Sequence, residues 1–120
     1  MNLEGINKSL HEYDNAISSN GICLLNVAQG GMVASVGMHS EMEKSVHVML
    51  EDNEFEGMNS LFNSIFYNRG FPELVTIKRT NHSRFIKFLD KDHLVLSHVD
   101  KEKVNYGKIK LYFDKITNKE

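Results

Sequence analysis

Two hydrophobic rhythms alternate along the chain. Leu3, Ile6, Leu10, Tyr13 and Ile17 recur at helical spacing and predict an amphipathic helix over 3–18. Ser18-Ser19-Asn20-Gly21 is a stop signal, with Gly21 suited to a left-handed C-terminal position. The run ICLLNV (22–27) is short, flanked by turn residues and without alternation, so it reads as a strand buried on both faces. AQGG (28–31) reads as a turn and MVASV (32–36) as the return strand. Ser40-Glu41-Met42-Glu43 has the form of a capping box, with the Ser40 hydroxyl accepting from the Glu43 N–H and the Glu43 carboxylate reaching back. A long helix is expected from there to about Asn68, ended by Gly70 and Pro72.

That helix changes its apolar face part-way. At about 100° per residue, Met42, Val46, Met49 and Leu50 lie on one side. Phe55, Met58, Leu61, Phe62, Ile65 and Phe66 cluster roughly opposite. Either the helix breaks around Asp52–Gly57, where EDNEFEG is a poor helical stretch, or one helix carries two apolar faces, each needing cover.

After Pro72 the rhythm becomes that of strands. ELVTIKRT (73–80), RFIKFL (84–89) and HLVLSHV (93–99) are rich in branched and aromatic residues. Asn81-His82-Ser83 and Asp90-Lys91-Asp92 read as turns, giving an antiparallel meander. The last segment, about 104–117, returns to helical spacing with Ile109, Tyr112, Phe113 and Ile116, and Asp100 or Asn105 as its cap. The order is α-β-β-α-β-β-β-α, without repeats or linkers, and 120 residues suit one domain.

Composition removes several classes of function. A net charge of −2 with scattered basic residues gives no nucleic-acid footprint, and the densest cluster, Lys78-Arg79 with Arg84, reads as a solvated strand face. No apolar run approaches the roughly 20 residues that span a bilayer, and the polar N-terminus is no signal peptide, so a cytoplasmic protein is expected. Cys23, the one cysteine, excludes an intrachain disulfide and sits in an apolar run, where a buried thiol is unreactive.

Candidate chemistry is sparse. Gly30-Gly31 is followed by Met32-Val33-Ala34, without the Lys and Ser/Thr of a phosphate loop, and Gly37 does not complete a dinucleotide fingerprint. A glycine pair between two strands is a hairpin tip, where a tight turn needs positive φ. The six histidines show no ligand spacing: His39 and His47 are eight apart, and His93 and His98 fall on opposite faces of one strand. Ser35 lacks the flanking glycines of a nucleophile elbow. No metal, cofactor or catalytic residue is expected, and the chain reads as a non-enzyme.

The order of elements and several segments resemble the roadblock (dynein light-chain) domain family, of the prokaryotic type, over nearly the whole chain. The resemblance rests on GICLLNVAQGGMVASVG (21–37), the long central helix (41–68), the glycine-containing turn into RGFPELVTIKR (69–79), and VNYGKIKLYFDKI (104–116). It implies an α+β sandwich. A five-stranded antiparallel sheet would carry the long central helix on one face and the two terminal helices on the other. It also implies a homodimer in which third strands pair edge to edge and central helices pack antiparallel. On this chain that interface falls on Phe55, Gly57, Met58 and Phe62 of the helix and on Phe71, Leu74, Thr76 and Lys78 around the third strand. Gly57 either permits close approach of the two helices or marks a simple break.

Roadblock-like proteins in bacteria and archaea commonly partner Ras-like small GTPases, and some stimulate GTP hydrolysis. The resemblance therefore implies a non-enzymatic dimeric regulator or scaffold, with nucleotide and metal remaining on the GTPase. Nothing in the sequence selects Arg69, Arg79 or Arg84 as an inserted finger. The alternative is a small-molecule-sensing module of PAS-like or profilin-like architecture, with Met and Phe of 55–66 lining a pocket.

Overall fold

A computed structural model describes residues 1–52 and 74–118. Helix α1 spans Leu3–Ala16, β1 Ile22–Asn26, β2 Gly31–Val36, α2 Ser40–Glu51, β3 Val75–Lys78, β4 His82–Phe88 and β5 His93–Asp100. A single 3-10 turn at Lys101–Lys103 leads into α3, Tyr106–Asp114. The sheet is antiparallel throughout, in the order β2-β1-β5-β4-β3.

Alternation along the strands sorts side chains into two layers. Ile22, Leu24, Phe85, Val95 and Val99 face one way and meet Ile6, Leu10 and Tyr13 of α1 and Ile109 and Phe113 of α3. Cys23, Leu25, Ile86, Phe88, Leu94 and Leu96 face the other way and meet Met42, Val46 and Met49 of α2. The expected sandwich is therefore present, with the terminal helices on one face and α2 on the other. The central strands β1 and β5 are covered on both faces, which gives them unbroken runs of buried residues, Ser97 and His98 among them. Burial pushes the Cys23 thiol up to about 12, so it packs as a small hydrophobe.

The first face also holds a buried polar chain. The Tyr13 hydroxyl donates to Ser97 Oγ at 2.8 Å, and Ser97 Oγ donates to the Gly21 carbonyl at 2.7 Å. Both side chains are fully buried, so this chain ties α1, β5 and the entry to β1 together.

Several local expectations move by a residue or two, each for a physical reason. Helix α1 ends at Ala16, with Ile17 already extended, so Gly21 (φ +124°) lies at the entry to β1 and not at a helix C-terminus. Leu3 is exposed, unlike the rest of its stripe. Of the two hairpin glycines only Gly30 takes positive φ (+69°), Asn26 Oδ1 accepts from the Gln29 N–H at 3.0 Å, and Gly31 already belongs to β2. One glycine makes that turn. A bulge between Leu24 and Leu25 leaves Val33 without a partner, so Met32 faces the α2 side while Ala34 and Val36 face the α1 side.

The β3–β4 turn is Thr80-Asn81, since Arg79 N–H donates to the His82 carbonyl and His82-Ser83 belong to β4. Between β4 and β5, Asp90 Oδ1 accepts from the N–H groups of Asp92 and His93, and Asp90 also meets the His93 ring at 2.9 Å. Partial burial raises the Asp90 pKa, but these hydrogen bonds outweigh it and the net shift is downward. Asn105 caps α3 by accepting from the Lys108 N–H at 3.1 Å, whereas Asp100 makes no cap hydrogen bond.

The capping box at Ser40–Glu43 is not formed. His39 is the N-cap, the Glu43 N–H donates to the His39 carbonyl, and no side chain caps the helix. Ser40 is thus the first helical residue. At the other end α2 stops at Glu51 with Asp52 as its C-cap; the rest of Asp52–Gly57, where the sequence allows for a break, lies outside the described residues. The expected continuation to Asn68 lies outside the described residues.

Candidate interaction surface

Strand β3 is an edge strand. Its partner is β4, with Val75 opposite Ile86, Thr76 opposite Phe85, Ile77 opposite Arg84 and Lys78 opposite Ser83. The Arg79 N–H points at β4, where it donates to the His82 carbonyl. Backbone groups alternate in direction along an antiparallel strand, so Ile77 and Val75 also point at β4 while Thr76 and Lys78 point outward. Among the described residues no strand accepts those outward groups, and an open edge of this kind is a template for another strand.

The side chains divide differently. Val75 and Ile77 are half-buried against the α2 layer, and Leu74 packs against the opposite layer. Thr76 and Lys78 are exposed, and the Lys78 ammonium lies 5.6 Å from the centre of the Tyr106 ring at the start of α3. Of the expected interface residues, Leu74, Thr76 and Lys78 therefore lie together on the open edge. Phe55, Gly57, Met58, Phe62 and Phe71 lie outside the described residues. The outer face of α2 carries Glu41, Lys44, Val48 and Glu51, and Val48 is exposed in its middle.

The expected basic strand face is split by the alternation. Lys78 sits on the α3 side, while Arg84, opposite Ile77, sits half-buried on the α2 side. There it joins a polar group that the spacing of the residues hides. A cavity of about 770 Å³ lies at the N-terminus of α2, lined by Ser40, Glu41, Met42 and Ser45 of the helix, His39 and Asn20 before it, and Asn81, His82, His98 and Asp100 of the sheet. The His82 and His98 rings stack at 4.8 Å. His98 is 4% exposed, and among the described residues the Nε2 atoms of both rings have no hydrogen-bond partner.

Burial, then His82, Arg84 and Arg79, push the His98 pKa down to about 3. His82 is lowered as well, by burial and by the same two arginines. Asn20 sets the geometry: its N–H donates to the His98 carbonyl and its carbonyl accepts from the His39 N–H, so the start of α2 is held over the end of β5. The one legible signal was parity: His82, Arg84, His98 and Asp100 all project to the α2 side once β4 and β5 are put in register.

A scan against protein-family models finds no match, and neither does a search of curated proteins. Solved structures do match. Myxococcus xanthus MglB superposes with a TM-score of 0.69 at 11% identity, over 97% of this chain and 87% of that one. The Roadblock/LC7 domain from Streptomyces avermitilis superposes with a TM-score of 0.68 at 12% identity, over 92% and 89%. The fold is that of the roadblock domain. The gliding protein MglB from Thermus thermophilus matches it equally, with a TM-score of 0.68 at 11% identity over 96% and 84%. At such identity the likeness speaks for the roadblock architecture, and residue roles have to be argued from this chain. Among the described residues no helix is long and apolar enough to cross a membrane, and no cluster of His, Cys, Asp and Glu has the makings of a metal site.

Proposed function

We propose that this roadblock-fold chain is a non-enzymatic, cytoplasmic homodimer that regulates or tethers a Ras-like small GTPase. The observation that carries the proposal is the open edge of β3, whose outward N–H and C=O groups at Thr76 and Lys78 are set to pair with a second copy of the same strand. Such pairing is isologous and antiparallel, so each β3 completes the other. It would place the two α2 helices on the same side of a continuous ten-stranded sheet. Their outer faces, with Val48 exposed, then form a shared platform. The fold likeness to MglB supports this reading, and one similar MglB structure is described in a tetrameric arrangement.

A GTPase held on that platform would keep its own nucleotide and metal. The platform would act by biasing the switch segments toward one arrangement. The test has two arms. Light scattering of the purified chain should give twice the chain mass. Co-purification with Ras-like GTPases of the source organism should give a complex in which the rate of GTP hydrolysis changes or the GTPase is merely retained. A monomer that binds none of those GTPases overturns the proposal.

A further inference from the structure

The face of the sheet away from α2 carries a second concave surface, between the C-terminal half of α1 and α3. Two adjoining hollows of about 280 and 580 Å³ share Ala16 and Lys108 and make one groove. Its floor is apolar, with Ile17 and Ile109 both buried. Its walls are tied together. Ser9 Oγ donates to the Lys115 carbonyl at 3.3 Å, and the Tyr13 ring meets Phe113 edge-on at 5.3 Å.

Charge distinguishes this groove from an ordinary solvated seam. Residues 101–116 carry five lysines and two carboxylates, a local charge of +3 in a chain of net −2. Lys103, Lys108 and Lys115 line the groove, against the single carboxylate of Glu12 among the described lining residues. Lys103 is partly neutralised by Asp100 at 4.0 Å. Among the described residues no carboxylate, Glu12 included, lies within ion-pair distance of Lys108 or Lys115. The Lys115 ammonium lies 4.6 Å from the centre of the Tyr112 ring, which keeps its charge at the groove. The start of α3 is already capped by Asn105 on the Lys108 N–H, so the lysine side chains and not the helix end supply the charge. Lys108 and Lys115 stand two turns apart on one helix face, about 10 Å along the axis. About three residues of extended chain cover that distance.

We propose that this groove docks an acidic segment of a partner protein, its carboxylates on Lys108 and Lys115 and its apolar side chains over Tyr112 and the floor. Apolar atoms at the bottom of a groove, with charge on the walls, suit a chain segment better than a flat bilayer surface. The site leaves the β3 edge and the outer face of α2 untouched, so it stands whether or not those meet a second copy or a GTPase.

Deca-glutamate titrated into the full chain, with backbone amide and Tyr112 ring shifts as the readout, tests this. Saturable shifts along 12–18 and 103–115 are expected, weakening several-fold between about 50 and 300 mM salt, and none with deca-lysine. Lys108→Ala and Lys115→Ala should each weaken binding about two- to fivefold, and the double variant Lys108→Glu/Lys115→Glu by about tenfold or more. Lys44→Glu, the same change of charge on the other face of the sheet, should stay within about twofold. All three lysines are exposed, so the variants should remain folded, as melts will show. Absence of saturable shifts, a Lys44→Glu effect as large as the double reversal, or a folded double reversal that binds as the unsubstituted chain does overturns the groove. Phosphatidylserine vesicles that bind where the peptide does not overturn the choice of a protein segment.

Discussion

Thr76→Pro separates the edge of β3 from its fold. The Thr76 N–H points away from β4, so proline there removes no hydrogen bond of the β3–β4 ladder, and an edge strand accepts proline on its outward side. In an isologous strand pair the substitution acts twice. Two donors are lost per dimer, each worth about 0.5–1.5 kcal/mol net, so dimerisation should weaken by about 1–3 kcal/mol, or roughly 5- to 150-fold in Kd. Ile77→Pro is the control, because the Ile77 N–H points at Arg84 within the ladder and its loss, which orphans the Arg84 carbonyl, should cost the fold about 1–3 kcal/mol. Sedimentation equilibrium gives the dimer Kd, and thermal melts monitored by circular dichroism give the fold. The expected pattern is a folded, dissociated Thr76→Pro protein and a destabilised Ile77→Pro protein. A folded Thr76→Pro chain that dimerises with unchanged affinity would place the interface elsewhere and refute the reasoning.

Other substitutions probe what holds the frame. Tyr13→Phe should cost about 1 kcal/mol, and Ser97→Ala about 1–3 kcal/mol because it orphans both the Tyr13 hydroxyl and the Gly21 carbonyl; in chemical denaturation the double variant should lose less than the sum. Gly37→Ala should cost more than Gly30→Ala, since both have positive φ but an added Cβ at Gly37 meets the Asp14 carboxylate while at Gly30 it meets open space; melts that rank them the other way reject the steric account. His98 has a folded pKa of about 3, below its unfolded value of 6.5, so the unfolded chain binds more protons in between. Stability should therefore be complete above about pH 6.5 and fall toward pH 3, and His98→Gln should flatten that part of the profile of melting temperature against pH.

The architecture was legible because its signals are local. Helical spacing over 3–18 and about 104–117, strand-like runs at 22–27 and 93–99, and turn residues between them name the elements and their order. What moved were the ends, where backbone geometry outranks composition. Ser40 looked like a cap because Glu43 follows it at the right distance. The Asn20 carbonyl takes the His39 N–H instead, which starts the helix one residue earlier and leaves both partners of the box unused. The bulge at Val33 was invisible for a related reason. MVASV alternates well enough to read as a straight strand, and only pairing with Leu24 and Leu25 shows the extra residue.

The two surfaces differ in the same way. The β3 edge follows from strand order, and the family resemblance implies that order, so Leu74, Thr76 and Lys78 are legible as edge residues while the outward direction of the Thr76 and Lys78 backbone groups depends on the pairing with β4. The cavity draws on residues 20, 39–45, 81–82 and 98–100, which no spacing rule joins. Two facts of register create it: Arg84 falls opposite His98, and His82 opposite Asp100, all on the side that α2 covers only from Ser40 onward. Histidines without ligand spacing in the sequence are thus brought face to face near the N-terminus of α2, where the N-cap His39 makes no side-chain cap hydrogen bond. A buried imidazole, His98, stacked on the half-buried ring of His82, is costly to keep with its Nε2 unpaired. That cost is the physical reason the acid side of the stability profile is assigned to His98, in a region that borders the β3–β4 turn through Asn81 and His82.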